Sequence, residues 1–322
     1  MSKVAFVTGA TGQDASYLMD LLLSKGYEVY GLVRRSASPN HWRIKHLEGK
    51  VGIIYGDLND QSSLDNAIRT IHPDEVYNLA AQSFVQYSFQ APIATIEATG
   101  VGVIKLLEAV KNNHKEAKVF QASTSEMFGK VRETPQKETT HFYPRSPYGC
   151  AKAMAHYACV NYREAYDMHI SCGIMFNHES PRRGEEFVTR KITKGIAEFK
   201  KTGKKISLGN LNASRDWSHS KEVMQGAWLM LQQDKPRDFV LGSGITHTVK
   251  EWLEKTCEVA GVEFFEAFTQ NPAFERQSEV DYLRADPSLA FSVLGWKTKV
   301  SFDELVEEMY KADEALSNNS VS

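Results

Sequence analysis

Tyr148-Gly-Cys-Ala-Lys152 sets a phenol and an ammonium four residues apart, on one face of any helix that carries both. A phenol ordinarily titrates at about 10. A neighbouring positive charge favours the phenolate, so the pair reads as a general base for a hydroxyl proton. Upstream, Ser123-Thr124-Ser125-Glu126 adds hydroxyls that can hold a substrate oxygen and a carboxylate that can carry a second proton. The same four residues also suit the cap of a short turn. A Tyr and a Lys at this spacing are common by chance, so the reading depends on what surrounds them.

The surroundings alternate strand and helix, which predicts a parallel, doubly wound sheet. Apolar runs at Lys3–Thr8, Tyr27–Val33, Val51–Tyr55, Glu75–Leu79, Lys118–Ala122 and His169–Met175 read as strands. Between them, helices are expected over Gln61–Ile71 and about Ile93–Asn113, and Tyr148 opens another. The first strand runs into Gly9-Ala10-Thr11-Gly12-Gln13-Asp14-Ala15 and a helix ending at Gly26. Strand, glycine turn and helix is the context of a dinucleotide fingerprint: Gly9 for the turn, Gly12 for close approach of a pyrophosphate to the helix N-terminus. The spacing is G-x-x-G-x-x-A, with Ala15 where a third glycine is usual.

The second strand ends in Arg34-Arg35-Ser36. NAD enzymes of this architecture usually carry an acid there. Two guanidiniums and a hydroxyl suit a ribose 2′-phosphate instead, so NADP is expected. Asp57, with Leu58 beside it, is suited to the adenine amine or to capping the next helix, and Leu79-Ala80-Ala81-Gln82-Ser83 lets a cofactor pass close to the backbone. The loop on to Arg43, with Pro39 and Trp42, has the composition of a subunit contact.

Strict alternation ends at Gly184. Helices at Val188–Lys201, Ser220–Gln232, Val249–Ala260 and Ser301–Glu314, with a short strand at Ile206–Leu208, suggest a smaller second unit. The expected division is a cofactor domain over 1–184 carrying the catalytic residues, and a substrate domain over 185–322 with some chain crossing back. The fold class is α/β, a doubly wound parallel Rossmann sheet with a smaller C-terminal α/β domain.

Composition narrows the function further. The 322 residues are 42% hydrophobic with net charge −2, ordinary for a globular protein and without the basic excess of a nucleic-acid binder. No apolar run reaches membrane-spanning length, and no targeting segment is evident, so a cytosolic protein is expected. Cys150, Cys159, Cys172 and Cys257 have neither paired nor metal-ligand spacing; no metal is expected, and buried, reduced thiols are.

With these stretches in hand, the chain resembles the extended short-chain dehydrogenases/reductases and, within them, the GDP-mannose 4,6-dehydratases, over about Val4 to Glu314. The resemblance rests on Thr8–Asp14, Asn78–Ser83, Gln121–Phe128, Phe142–Tyr148, Asn161–Glu164, Phe176–Gly184 and Phe187–Ile192. It departs at Ala15 and in a short loop between Arg43 and Val51. The resemblance implies that Tyr148 takes the sugar O4 proton, Lys152 lowers the Tyr148 pKa and holds the nicotinamide ribose, and Thr124 bonds O4. Glu126 then removes the C5 proton and protonates the departing C6 hydroxyl. In related dTDP-glucose dehydratases an Asp precedes that Glu; here it is Ser125, which sets this chain on the GDP-mannose side.

The same resemblance implies cofactor contacts from Gly9, Thr11, Gly12, Gln13, Asp14, Arg34, Arg35, Ser36, Asp57, Leu58, Leu79, Ala80, Ala81, Ser83, His178 and Arg183. It implies a GDP-sugar held by Ser83, Ser125, Asn177, Val188, Lys191, Gly209, Arg215, Arg276 and Glu279, and a homodimer or homotetramer. Phe142 and Tyr143 suit core as well as site. Three alternatives stay open: a GDP-manno-heptose dehydratase, a GDP-4-keto-6-deoxymannose reductase, which needs no C5 base, and a nucleotide-sugar sensor without turnover.

Overall fold

Val4–Thr8 (β1) is buried almost throughout, because a parallel strand is covered on both faces and needs apolar side chains on each. The computed structural model describes residues 2–38, 40–271, 280 and 282–319. After β1 come Gln13–Ser24 (α1), Glu28–Val33 (β2), Gly52–Tyr55 (β3), Gln61–Ile71 (α2) and Glu75–Asn78 (β4). Val85–Gln90 (α3), Pro92–Ile96 (α4) and Gly102–Asn113 (α5) lead to Lys118–Thr124 (β5), Pro147–Tyr166 (α6) and Ile170–Met175 (β6).

These strands and Phe239–Leu241 form a seven-stranded sheet, parallel throughout. Chain order reverses between β1 and β4, which opens a crevice beyond the strand ends. One face is covered by α2, α5 and α6, through residues such as Leu64, Leu107 and Cys159. The other is covered by α1 and by Ser220–Leu231, through Leu18, Met19, Met224 and Met230. The sheet is therefore completed by two segments that follow Gly184.

The second body comprises Asn177–Glu179 (β7), Val188–Thr202 (α7), Ile206–Leu208 (β8), Ser214–His219 (β9), Ser220–Leu231 (α8), Phe239–Leu241 (β10), Thr246–Thr248 (β11), Val249–Ala260 (α9), Phe264–Ala267 (α10), Phe268–Gln270 (β12), Ser288–Leu294 (α11) and Phe302–Asn319 (α12), of which α8 and β10 belong to the first sheet. β9 pairs parallel with β7 and antiparallel with β11, and β8 pairs with β12. Helices α7, α9 and α12 pack around Trp217, Trp252 and Met309.

The helix expected over Ile93–Asn113 is interrupted by a π-helical stretch, Glu97–Val101, between α4 and α5. Such wide turns often mark functional sites. Here Thr99 Oγ1 accepts from the Gln82 amide at 3.1 Å, which fastens the loop after β4. Gly100 lies against α6; a Cβ there would sit 3.2 Å from Met154 Sδ. Of the cysteines, Cys159, Cys172 and Cys257 are buried and Cys150 is exposed; all four are free. Among the described residues no group of His, Cys, Asp and Glu is arranged to hold a metal, and no helix is long and apolar enough to cross a membrane.

Candidate active site

One cleft of about 970 Å³ runs along the C-terminal ends of the sheet strands and into the second body. Its floor is the turn after β1. Gly9 has φ +67°, and a Cβ on it would stand 2.9 Å from the Ala80 Cα and N. No side chain fits there. A Cβ on Gly12 would sit 3.1 Å from Gly9 O, and Gly12 gives α1 no side-chain cap. The first N–H groups of α1 are left for a ligand anion. A backbone cradle at a helix N-terminus, closed to any side chain, fits the pyrophosphate of a dinucleotide.

Gly9, Thr11, Gly12, Gln13, Asp14, Arg34, Asp57, Leu58, Leu79, Ala80, Ala81 and Ser83 all line this cleft. Arg35 and Ser36 stand exposed beside it, outside the lining. Asp57 is not the cap of α2; that is Asp60, which accepts from Ser62 N at 3.2 Å and Ser63 N at 3.3 Å. Arg43 turns inward, donating to Arg182 O at 2.6 Å and Thr11 O at 3.3 Å, while Trp42 remains about half exposed at 47%.

Gln13 and Asp14 spend their side chains inside the protein. Gln13 donates to His178 O at 3.1 Å and accepts from Ser180 Oγ at 2.7 Å. Asp14 accepts from Ser220 Oγ at 2.8 Å and meets His178 Nε2 at 2.9 Å. His178 Nδ1 faces the Phe176 carbonyl at 2.7 Å. Both ring nitrogens thus face acceptors, which only the imidazolium satisfies. Burial works against both charges, but the pair wins: the His178 pKa is raised, with Asp14 its leading favourable cause, and Asp14 is held far below the usual carboxylate range, mainly by His178.

The sign is definite. The raised His178 stabilises the fold fully below its unfolded value of about 6.5, and that contribution fades as pH rises through the folded value. The lowered Asp14 contributes above about pH 4. Asp14→Asn should therefore lower the melting temperature by about 2–4 °C near pH 5, and the gap to the parent should close as pH climbs past 7. A pH-independent gap would refute the ion pair.

Four side chains meet at the centre of the cleft. Thr124 ends β5, and its Oγ1 accepts from Glu126 N at 3.3 Å, capping the 3₁₀ turn Ser125–Met127. The cap of the turn and a cleft-lining position are thus one residue. Ser146 caps α6, accepting from Gly149 N at 3.0 Å, with Pro147 in its first turn. Gly149 lets that turn close on the 3₁₀ turn, since a Cβ would lie 2.9 Å from Glu126 O. The turns carrying Glu126 and Tyr148 are thereby packed together, and both residues are buried and line the cleft.

Tyr148 departs from the expectation that Lys152 lowers its pKa. Burial pushes the phenol up; the Thr124 hydrogen bond and the Arg183 charge oppose this, and the Glu126 and Asp14 charges add to it. Lys152 Nζ is 5.9 Å from the phenol ring centre and donates instead to Ala122 O at 2.6 Å. Burial also depresses Lys152, to about 8, against the pull of Asp14 and Cys159. Both groups are driven towards neutrality because both are buried.

The second body supplies the far wall, lined by Asn177, His178, Arg183, Val188, Lys191, Gly209 and Arg215, while Ser125 lines the cleft from the 3₁₀ turn after β5. Arg183 pairs with Glu179 at 3.0 Å and stacks on Phe187 at 3.5 Å. Lys191 is lowered by burial. Arg215 is buried and donates to Ser214 O at 2.9 Å. Arg276 and Glu279 lie outside the described residues. Sequence reasoning missed Phe84, whose ring meets Phe187 edge-on at 5.7 Å across the cleft mouth; an aromatic directly after the polar Gln82-Ser83 pair was the available signal. Phe142 packs against Phe128 and His156, as core.

Comparison with known proteins adds the following. The family model described as GDP-mannose 4,6 dehydratase matches residues 6–309. The chain is 47% identical to a GDP-mannose 4,6 dehydratase of Cricetulus griseus, over 97% of this chain and 91% of the relative. It is 44% identical to one of Vibrio cholerae, over 97% and 93%. Among solved structures, a Thermus thermophilus UDP-glucose 4-epimerase in complex with NAD superposes with TM-score 0.86 at 25% identity, covering 96% of this chain and 98% of that one. A Streptomyces venezuelae dTDP-glucose 4,6-dehydratase shares the fold with TM-score 0.88 at 20% identity, over 96% of each chain.

Proposed function

The chain belongs to the GDP-mannose 4,6-dehydratase family, and on that premise we propose that it converts GDP-D-mannose to GDP-4-dehydro-6-deoxy-D-mannose and water. The observation that carries this reading is that Thr124, Glu126, Tyr148 and Lys152 all line the cleft, the last three of them buried. Gly9 and Gly12 in the glycine turn would hold a nicotinamide cofactor, which would supply the hydride chemistry, from C4 and back to C6, with no net redox change. NADP rather than NAD is supported by Arg34-Arg35-Ser36 at the end of β2.

The chain's own work is proton transfer and positioning. Thr124 Oγ1 holds the sugar O4 while the Tyr148 phenolate oxygen takes its proton. Lys152, in its protonated form, supplies the positive charge a Tyr148 phenolate needs, since burial alone favours the neutral form of both groups. Once C4 is a ketone, the C5 proton is acidic, and the Glu126 carboxylate removes it. The same carboxyl then delivers a proton to the C6 hydroxyl, which leaves as water. Having Ser125 before Glu126 supports one residue doing both jobs. Arg215 and Lys191, with Arg276 and Glu279 by resemblance, serve the GDP moiety.

Four free cysteines accord with a cytosolic setting. Half-exposed Trp42 beside the cofactor loop accords with a homodimer or homotetramer.

Purified protein incubated with GDP-mannose and catalytic NADP+ should give a keto sugar, seen as an alkaline ultraviolet chromophore. Turnover only of GDP-manno-heptose would move the assignment to that substrate. Stoichiometric NADPH consumption with a keto sugar would make it a reductase.

A further inference from the structure

Lys152 does not hold its carbonyl alone. Ala122 O, which accepts from Lys152 Nζ at 2.6 Å, also accepts from Gln121 Nε2 at 3.0 Å. Gln121 Oε1 accepts in turn from Asn78 Nδ2 at 2.7 Å, and Asn78 Oδ1 accepts from Thr8 Oγ1 at 2.6 Å. Thr8 Oγ1 is itself the acceptor for Leu79 N at 3.2 Å and Ala80 N at 3.1 Å. Thr8, Asn78 and Gln121 are register partners on β1, β4 and β5. They form one polar row across the sheet, one residue short of the cleft. Thr8, Asn78 and Gln121 are all at most 1% exposed.

We infer that Gln121 is a positioning residue for Lys152, its amide tying the carbonyl under the catalytic ammonium to a buried hydrogen-bonded row that starts at the dinucleotide turn. Three observations favour this over mere filling of space. The row is continuous, so Gln121 has its acceptor and one of its two donor hydrogens engaged. It starts where Thr8 holds Ala80, the residue that closes on Gly9. It ends on the group that must stay charged and fixed for Tyr148 to act. In a buried network each bond strengthens its neighbours, and an orphaned member is costly. Among the described residues, besides burial, the charges that act on Lys152 are those of Asp14 of α1 and Cys159 of its own helix α6, and the Tyr148 ring centre lies 5.9 Å away. Gln121 adds no charge; it fixes where the charge sits.

This inference rests on the proposed roles of Tyr148 and Lys152, and two variants test it. Q121M removes both amide bonds. Q121E keeps the side-chain length and the acceptor for Asn78 but sets a carboxylate oxygen beside the Ala122 carbonyl that Lys152 Nζ donates to. Each is examined by NADPH affinity across pH, followed by nicotinamide fluorescence and needing no sugar, and by kcat and KM with GDP-mannose. In Q121M, kcat should fall about tenfold to a hundredfold from a displaced ammonium, with KM within about a factor of two. In Q121E, the alkaline break in NADPH binding, expected in the parent where Lys152 loses its proton, should move up by about one unit, since a neighbouring carboxylate favours the ammonium.

Folded variants with the parent's kcat and the parent's break would overturn the inference and leave Gln121 a structural residue. If Q121M does not fold, Q121E decides alone. A parent that binds NADPH but leaves GDP-mannose unchanged would refute the proposed reaction, while the shift in the NADPH break would still report on Gln121.

Discussion

Glu126→Gln is expected to cut formation of the keto product by about a thousandfold, within the range that a positioned acid–base group contributes. Oxidation at C4 should persist. Gln keeps the shape of Glu but cannot accept the C5 proton. Its main-chain N–H donates to Thr124 Oγ1 and its carbonyl packs on Gly149, and an isosteric replacement alters neither. Fold and cofactor site should therefore survive, with stability within about 0.5 kcal/mol of the parent. Rapid mixing with GDP-mannose and NADP+ should reveal NADPH absorbance that rises and stays. Normal turnover would remove Glu126 from the mechanism; absence of any NADPH would mean that it acts before elimination.

Asp313→Ala should destabilise the protein by about 3–5 kcal/mol, the usual cost of removing one partner of a buried ion pair. Arg190 of α7 and Asp313 of α12 are 2% and 1% exposed at their side chains. Arg190 Nε and Nη2 both reach Asp313 Oδ1 at 2.6 Å, and Thr193 Oγ1 donates to Oδ2 at 2.7 Å. The remaining guanidinium nitrogen donates to Pro181 O and, at 3.2 Å, to Arg183 O. The pair thus anchors the loop that carries Arg183. Alanine leaves a charge in the core with no counterion. Urea denaturation measures the loss directly. The double replacement R190M/D313L should recover most of it, since apolar packing can replace a buried pair. A double variant as unstable as the single one would show that shape, not charge, is what matters there.

The frame of this site could be read from local pattern, and the coupling within it could not. The glycine turn, the strand ends and the Tyr148–Lys152 spacing are short-range features, and each lines the cleft as expected, Arg35 and Ser36 at the end of β2 excepted. The polar row across β1, β4 and β5 depends on which residues of different strands stand side by side, and no periodicity within one strand carries that. Arg190 and Asp313 lie 123 residues apart, so each reads as an ordinary helix charge until the helices are packed. β7 is only three residues, Asn-His-Glu, and too polar to signal a strand. The Tyr148 shift reversed because burial, not the neighbouring ammonium, is its largest cause; sequence shows the neighbour but not the dryness.

Strand β10 lies on the outer side of β6 and is made only of Phe239–Leu241. During synthesis, β6 emerges from the ribosome more than sixty residues ahead of it. Until then the hydrogen-bonding rim of β6 is bare, and such rims recruit foreign strands. A nascent chain stalled near Gly184 would carry Thr124, Glu126, Tyr148 and Lys152 and an unprotected margin. Chaperone dependence of such stalled chains should drop once translation has passed Leu241.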